Sequence, residues 1–336
     1  MSRRAAPKAN TEAESEGPPM SQLPPSQAAP GGAQRRPLDA GRWHFNHGPI
    51  DIVAEAHGDD VEVAVAHELA WRRFGTVLDE LVAELPLLRQ PVRDACPLQG
   101  PIARRMWRAC VPFRAAFITP MAAVAGAVAQ ELIACYQRTG IERAWVNNGG
   151  DIALHLAPGR SARVGLFADL ARFDLRERGP LTTDGQFELR AEMPVRGVAT
   201  SGWRGRSFSL GIADSVTVLA GTAAEADAAA TVIANAVDVQ DPGIHRRPAN
   251  ECKDDSDLGD ILVTVDVAAL APAQVQRALE AGAARARDLQ RAGLIDSAML
   301  VCQGQWRLVE PLSSPSSGIS AIAKQPQAAA VGSVFA

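Results

Sequence analysis

The chain has 336 residues, 47% of them hydrophobic, and its 34 basic and 38 acidic residues give a formal net charge of −4. This length is enough for one large or two ordinary domains with a sizeable buried core. The small net charge argues against nucleic acid or an anionic membrane as a partner. No apolar stretch reaches membrane-spanning length, and no apolar run follows the first arginines, so we expect neither a membrane span nor a signal peptide.

The five cysteines, at positions 96, 110, 135, 252 and 302, are scattered without a pair at metal-binding spacing. Free thiols at such positions are typical of proteins kept in a reducing compartment. The cysteine pattern therefore predicts a cytoplasmic protein.

Both ends of the chain are rich in proline, serine, alanine, glycine and glutamine. Such segments bury too little apolar surface to offset the loss of chain entropy on folding. We therefore predict disorder for residues 1–38 and 313–336, with a single folded domain at 39–312.

Strands and helices alternate irregularly through the predicted domain. The first half of the domain is predicted to contain a hairpin at 43–56, helices at 61–85 and 102–109, a helix of small residues within 119–135, and strands on either side of a turn within 144–156. The middle is predicted to contain strands at 163–168 and 187–191, a polar turn at 200–202, and a strand at 215–220 with a helix after it. The last part is predicted to contain a polar loop at 245–260, a strand at 261–267, a helix at 272–292 and a hairpin at 297–310. Strands outnumber crossover helices, which favours an α+β fold with mainly antiparallel or mixed sheets packed with helices.

The helix after the strand at 215–220 is unusually rich in alanine. Thr222 is a favourable N-cap, and Glu225 completes a capping box. Asp227 and Thr231 are four residues apart, so their side chains project from one face of this helix. A carboxylate and a hydroxyl on a rigid helix are suitable oxygen ligands for magnesium. The alternative is an acid that matches its own helix dipole, with Thr231 hydrogen-bonded to a preceding carbonyl.

The sequence NNGGD at 147–151 joins two predicted strands. Asn148-Gly149 is typical of a tight hairpin turn with positive φ angles. Two glycines beside Asn and Asp also leave backbone amides open, as loops that bind phosphate require. The pattern is consistent with a plain hairpin and with a turn that contacts a nucleotide.

Three separated segments, taken together, resemble a known family. VNNGGDIAL at 146–154, GVATSG at 197–202 and SVTVLAGTAAEADAAAT at 215–231 resemble, in this order, signature segments of the ApbE superfamily, the FAD:protein FMN transferases. The resemblance is closest to the superfamily's uncharacterised UPF branch and extends over roughly residues 42–310. It implies a single ApbE-like α+β domain.

The resemblance also implies a cofactor and a reaction. Members of the family bind FAD with magnesium at its pyrophosphate and move FMN onto a threonine of an acceptor protein. Carried over by position, the resemblance implies that Asp227 and Thr231 would be the magnesium ligands, with help from a backbone carbonyl near Ala125. The residues that line the nucleotide pocket are then Asn148, Gly149, Gly150, Asp151, Thr200, Ser201 and Gly202.

Two family positions differ here. The segment that carries a lysine in the transferases is Val124-Ala125-Gly126-Ala127, and the segment that carries a histidine is residues 210–214, LGIAD. Transferase activity is therefore an open question. The alternatives are a pterin as ligand, with a role in tetrahydromethanopterin-linked one-carbon metabolism, and a non-catalytic binding scaffold. The sequence leaves the oligomeric state open.

Overall fold

The structure of the protein, a computed structural model, describes residues 32–166, 185–254, 256–312 and 333–335. Its strands are β1 Gln34–Pro37, β2 Trp43–His47, β3 Ile50–Gly58, β4 Ile141–Asn148, β5 Asp151–Leu156, β6 Ser161–Leu166, β7 Gly185–Arg190, β8 Gly197–Ser201, β9 Ser215–Ala220, β10 Ile244–Pro248, β11 Leu262–Val267, β12 Ser297–Cys302, β13 Gln305–Val309 and β14 Ser333–Phe335. Its α-helices are α1 Asp60–Ala83, α2 Leu85–Leu88, α3 Pro101–Cys110, α4 Val124–Ile133, α5 Ala223–Ala236, α6 Ala249–Cys252 and α7 Pro272–Arg291.

The described strands form one large antiparallel sheet and two small sheets. The large sheet has the order β1-β2-β3-β4-β5-β8-β9-β12-β13. The hairpin β10-β11 stands apart from it, and β6 pairs with β7 and, in parallel, with β14. Strands and helices are thus combined in an α+β fold with mainly antiparallel sheets, as predicted.

Both faces of the large sheet are buried near its centre. In β5, Ala153 belongs to the core shared with the helices, whereas Ile152 and Leu154 pack with Phe187 of β7 on the opposite side. Every residue of β9 is buried. The burial includes the two polar residues of the strand, Ser215 and Thr217, so β9 is covered on both faces.

The structure corrects three sequence predictions. Residues 34–37, predicted to be disordered, form β1 and pair with β2. Ser333–Phe335, which belong to the predicted disordered tail at the carboxy terminus, form β14 and pair with β6. The predicted polar loop at 245–260 contains most of β10 and all of α6. Thr200 and Ser201 are not in a turn, because they end β8 and pair with Thr217 and Val216 of β9. Residues 1–31, 313–332 and 336 of the two predicted disordered segments lie outside the described residues.

Helix α5 starts as the sequence predicts. The N-cap hydroxyl of Thr222 accepts a hydrogen bond from the backbone N–H of Glu225 at 3.3 Å. The same hydroxyl donates to the carboxylate of Glu225 at 2.9 Å. The N-cap is therefore as predicted, whereas Glu225 accepts from the Thr222 hydroxyl and not, as in the predicted capping box, from the Thr222 backbone N–H. Seven alanines of α5 are at most 1% exposed; they are Ala223, Ala224, Ala226, Ala228, Ala229, Ala230 and Ala234. Side chains this small allow α5 to lie close to its neighbours.

Two glycines bring the first turn of α5 into contact with α4 and β8. A Cβ atom at Gly126 of α4 would lie 2.2 Å from the carbonyl oxygen of Ala223 and 2.9 Å from Cβ of Asp227. A Cβ atom at Gly197 of β8 would lie 2.2 Å from the backbone nitrogen of Ala223. Only glycine allows these approaches, which explains the glycine inside the helical pattern of α4.

Replacing Gly126 with alanine should destabilise the fold, since backbone atoms must move to make room for the new methyl group. We expect the free energy of unfolding to fall by about 1–3 kcal/mol, as is usual for overpacking. Urea unfolding followed by circular dichroism measures this change. Gly221→Ala is a matched control, because a Cβ there meets nothing closer than 3.4 Å. Equal stability of the two variants would contradict the proposed close contact.

Candidate functional site

The turn between β4 and β5 has the backbone that its two glycines permit. Gly149 and Gly150 have φ angles of +66° and +112°, which side chains other than glycine rarely adopt. The backbone N–H of Gly150 donates to the side-chain oxygen of Asn147 at 2.8 Å, which fixes the turn. Asn148 and Asp151 pair directly across it. The hairpin interpretation of NNGGD is therefore confirmed.

Asp151 connects this turn to β8. Its residue surface is only 8% exposed, and Oδ1 accepts a hydrogen bond from the backbone N–H of Thr200 at 3.2 Å. The hydroxyl of Thr200 is in turn 2.9 Å from that of Thr217 on β9. The turn at 148–151 and the end of β8 at Thr200, which were both predicted to contact a nucleotide, thus lie beside each other.

Asp227 lies against the amino terminus of α4. Its Oδ2 accepts a hydrogen bond from the backbone N–H of Gly126 at 2.9 Å, and the N–H of Ala125 is a second donor. Amides in the first turn of a helix have no partner within that helix, and the helix dipole there favours negative charge. The prediction that Asp227 matches the dipole of its own helix is therefore wrong: Asp227 is the fifth residue of α5 and caps α4.

Asn148 ties the glycine turn to the same helix terminus. Its side-chain nitrogen donates to the carbonyl oxygen of Ala125 at 3.1 Å, and the residue is 6% exposed. The carbonyl of Ala125 thus faces Asn148 while its amide faces Asp227. The turn at 148–151, the end of β8 and the face of α5 with Asp227 therefore meet at one place, the start of α4.

The two acids at this place disfavour each other's charge. Burial raises the pKa of Asp151 from 3.8 to about 7, against the opposing effects of the Thr200 amide and of Arg206. Burial also raises the pKa of Asp227 well above its ordinary value, and the negative charge of Asp151 raises it further. Two carboxylates that repel each other in a partly dehydrated place attract a cation.

The other predicted site residues have different surroundings. Thr231 lies one turn beyond Asp227 on α5 and is partly exposed. In the described residues its hydroxyl makes no hydrogen bond, so it does not bond back to a carbonyl as the alternative proposed. Gly202 lies against the backbone of Asp214, where a Cβ would be 2.4 Å from a carbonyl oxygen. Ser201 ends β8 and is partly exposed.

Sequence reasoning missed Arg206, which lies in the loop between β8 and β9. A Cβ atom at Gly149 would lie 3.0 Å from Nη2 and 3.3 Å from Cζ of Arg206, so the guanidinium group contacts the glycine turn. Its positive charge also acts on Asp151. The available signal was the sequence WRGRS at 203–207, two arginines directly after a segment that resembles a family motif.

A cation at this place would have oxygen ligands. Within the described ranges, no three His, Cys, Asp or Glu side chains are grouped so that they could hold a metal ion. The available donors are two carboxylates, the hydroxyl of Thr231 and the carbonyl of Ala125. A small number of carboxylates with neutral oxygens suits magnesium, which keeps part of its water shell.

Comparison with known proteins shows the family. A family model described as AbpE bacteria matches residues 34–308. The chain belongs to this family. The UPF0280 protein of Methanopyrus kandleri is 38% identical over 191 residues, 55% of this chain and 70% of that protein. The UPF0280 protein of Methanosphaerula palustris is 36% identical over 189 residues, 53% of this chain and 74% of that protein. The resemblance to the ApbE superfamily and its UPF branch is thus confirmed.

Solved structures resemble the chain more weakly. The apo flavinyl transferase ApbE of Pseudomonas stutzeri has a TM-score of 0.40 and 12% identity, covering 83% of this chain and 94% of that chain. A mutant flavin transferase ApbE of Vibrio cholerae has the same TM-score and identity, covering 83% and 97%. Similarities this weak carry no argument about the site of this family member.

Among the described helices, none is both long enough and apolar enough to span a membrane.

Replacing Asp151 with asparagine should change how stability depends on pH. Because the pKa is higher in the folded protein than in the unfolded chain, the folded state binds more protons between 3.8 and about 7. The free energy of unfolding therefore loses this contribution as the pH rises through that window, and the loss persists above it. Asparagine does not ionise and keeps an oxygen for the Thr200 amide.

We expect the Tm of Asp151→Asn, relative to wild type, to increase from about pH 4 to about pH 8 in the presence of EDTA. Thermal unfolding across this range measures the difference. Asp79→Asn, which removes an exposed acid of α1, is measured in parallel as the control for the loss of one surface carboxylate. A constant difference for Asp151→Asn would contradict the raised pKa.

Proposed function

We propose that this member of the family binds FAD through a divalent cation, magnesium, at Asp151 and Asp227. The observation that carries the proposal is geometric: Asp227 accepts hydrogen bonds at the start of α4, and Asp151 lies in the turn that Asn148 ties to the same helix start. The burial that raises the pKa of both acids, and the effect of Asp151 on the pKa of Asp227, support it. In an unliganded fold this arrangement is unfavourable, and a bound cation makes it favourable. Unfavourable charge arrangements of this kind concentrate at functional sites.

The surrounding residues fit such a group. Asp227 and Asp151 would supply the charged oxygens, and Thr231 and the Ala125 carbonyl would supply neutral ones. The Asn148 side chain holds the Ala125 carbonyl, and the Thr200 amide holds Asp151. The Gly126 amide likewise holds Asp227, so three of the four donors are fixed by a neighbour before any ligand arrives, which is the preorganisation that electrostatic stabilisation requires.

The flavin part of the proposal rests on the three sequence segments that resemble the transferases. When bound, a divalent cation neutralises charge on the oxygens of a pyrophosphate. In the reaction we propose, an acceptor threonine oxygen forms a bond to the FMN phosphorus, the pyrophosphate bond breaks, and AMP and a proton leave. The oxygen-only site supplies positioning and charge, which are the main needs of such a transfer.

The proposed location is the cytoplasm. All five cysteines, at positions 96, 110, 135, 252 and 302, are free thiols. Free thiols are typical of proteins in a reducing compartment, which supports this part of the proposal.

Binding of FAD should depend on both the metal and Asp227. We expect isothermal titration calorimetry to show FAD binding with magnesium and at least about a tenfold weaker affinity with EDTA or in Asp227→Asn. Asparagine keeps an oxygen for the Gly126 amide, so the variant should fold as well as wild type. Asp79→Asn is the control and should bind FAD like wild type.

The outcomes separate the candidate functions. Metal-dependent FAD binding followed by AMP release in the presence of an acceptor would support the transferase. Preference for a pterin over FAD would support the pterin alternative and contradict the flavin proposal. If Asp227→Asn binds every tested ligand as well as wild type does, Asp227 has only a structural role.

A further inference from the structure

Arg206 lies beside the glycine turn, at the edge of the place where Asp151 and Asp227 meet. It is exposed, and in the described parts of the chain no carboxylate lies within ion-pair distance of its guanidinium group. That group instead lies over the backbone of Gly149, in the space that a side chain would otherwise occupy. The positive φ angle at Gly149 and the lack of a Cβ both keep this space open.

The neighbouring Arg204 has different surroundings. Its guanidinium carbon lies 4.9 Å from the centre of the Trp203 ring, and its Nε is 3.7 Å from a carboxylate oxygen of Asp214. The charge of Arg204 is therefore compensated within the protein. The two arginines of this loop thus differ in what they contact. Arg206 lies over the turn that leads into Asp151, whereas Arg204 contacts Trp203 and Asp214.

The chemistry of a guanidinium group indicates what Arg206 can bind. It is planar, permanently charged and has five N–H donors, which suit the oxygens of phosphate in paired hydrogen bonds. If a divalent cation compensates Asp151 and Asp227, Arg206 remains as the uncompensated positive charge at this place. An anion that contacts the cation would then be drawn toward Arg206 as well.

We propose that Arg206 and the Gly149–Gly150 turn form a phosphate-recognition site for the pyrophosphate of a metal-bound nucleotide. The inference rests on the proposed cation at Asp151 and Asp227, but not on the identity of the flavin. It also gives the chain a positive contact to the ligand although the family's lysine is absent from residues 124–127. The alternative role for Arg206 is that of a counter-ion for Asp151 alone.

The test uses inorganic pyrophosphate with magnesium as the probe and the full chain as the protein. Isothermal titration calorimetry is carried out on wild type, Arg206→Met and Arg204→Met. We expect Arg206→Met to weaken binding at least about tenfold, since a charge-assisted pair to phosphate is lost. Arg204→Met should bind pyrophosphate about as well as wild type. The side chain of Arg206 is exposed, so its replacement should leave the fold intact.

Binding of Mn²⁺ alone, followed by electron paramagnetic resonance, separates the two roles of Arg206. A phosphate contact predicts that Arg206→Met binds the metal at least as tightly as wild type, because a nearby positive charge has been removed. The proposal is overturned if wild type does not bind pyrophosphate, if Arg206→Met binds it equally well, or if both arginine variants lose it equally. It is also overturned if the loss in Arg206→Met is matched by an equal loss of Mn²⁺ affinity.

A parallel titration with FAD distinguishes this inference from the proposed function. Pyrophosphate binding that needs Arg206, without any FAD binding, would support the phosphate site and remove the flavin proposal. If Arg206→Met still binds both FAD and pyrophosphate as wild type does, the flavin proposal is supported and the phosphate site at Arg206 is removed.

Discussion

The contact between the start of α4 and the first turns of α5 is the constraint on which the candidate site depends. Glycine at position 126 lets the two helices approach until the Asp227 carboxylate reaches the free amides of α4. Those amides and the helix dipole partly compensate the burial of an acid. The same helix terminus presents the Ala125 carbonyl to Asn148, so one backbone segment organises two of the three sequence regions of the site.

The site is unusual when compared with another partly buried acid of the same chain. Glu131 of α4 lies between Arg73 and Arg105, at 2.8 Å and 2.7 Å, and these arginines lower its pKa. Burial instead raises the pKa values of Asp151 and Asp227, and the effect of Arg206 on Asp151 does not reverse this. The fold therefore has the means to neutralise a partly buried acid, and it does so about one and a half helical turns further along α4 but not within the candidate site. That contrast favours a ligand as the missing positive charge.

Local sequence signals predicted much of the fold. The N-cap at Thr222, the limits of β9 and the glycine turn at 149–150 depend on neighbouring residues, and all three are as predicted. Thr200 and Ser201 were misassigned because small polar residues resemble a turn, whereas pairing with β9 decides their conformation. Strand β1 was missed because an edge strand with charged residues and a terminal proline resembles a disordered segment.

The arrangement of the site was harder to predict than its members. Asp227 and Asp151 could be named from the sequence, but their mutual repulsion depends on how α5 is packed across the sheet. The partner of Asp227 is a backbone amide 101 residues earlier in the chain, which no spacing pattern specifies. Arg206 was missed for the same reason, because its importance depends on a contact with Gly149 that only the folded loop makes.

Among the described strands of the large sheet, the pairing with the fewest residue pairs is that between β5 and β8, beside the candidate site. Strands β5 and β8 are joined by two residue pairs, Ile152 with Val198 and Ala153 with Gly197, whereas β4 and β5 share six and β8 and β9 share five. The segment that contains β6 and β7 separates β5 from β8 along the chain, and the ladder between the two strands is short. Asp151 begins β5 and accepts a hydrogen bond from the backbone of Thr200 in β8, so its carboxylate is a side-chain crosslink that extends this short ladder.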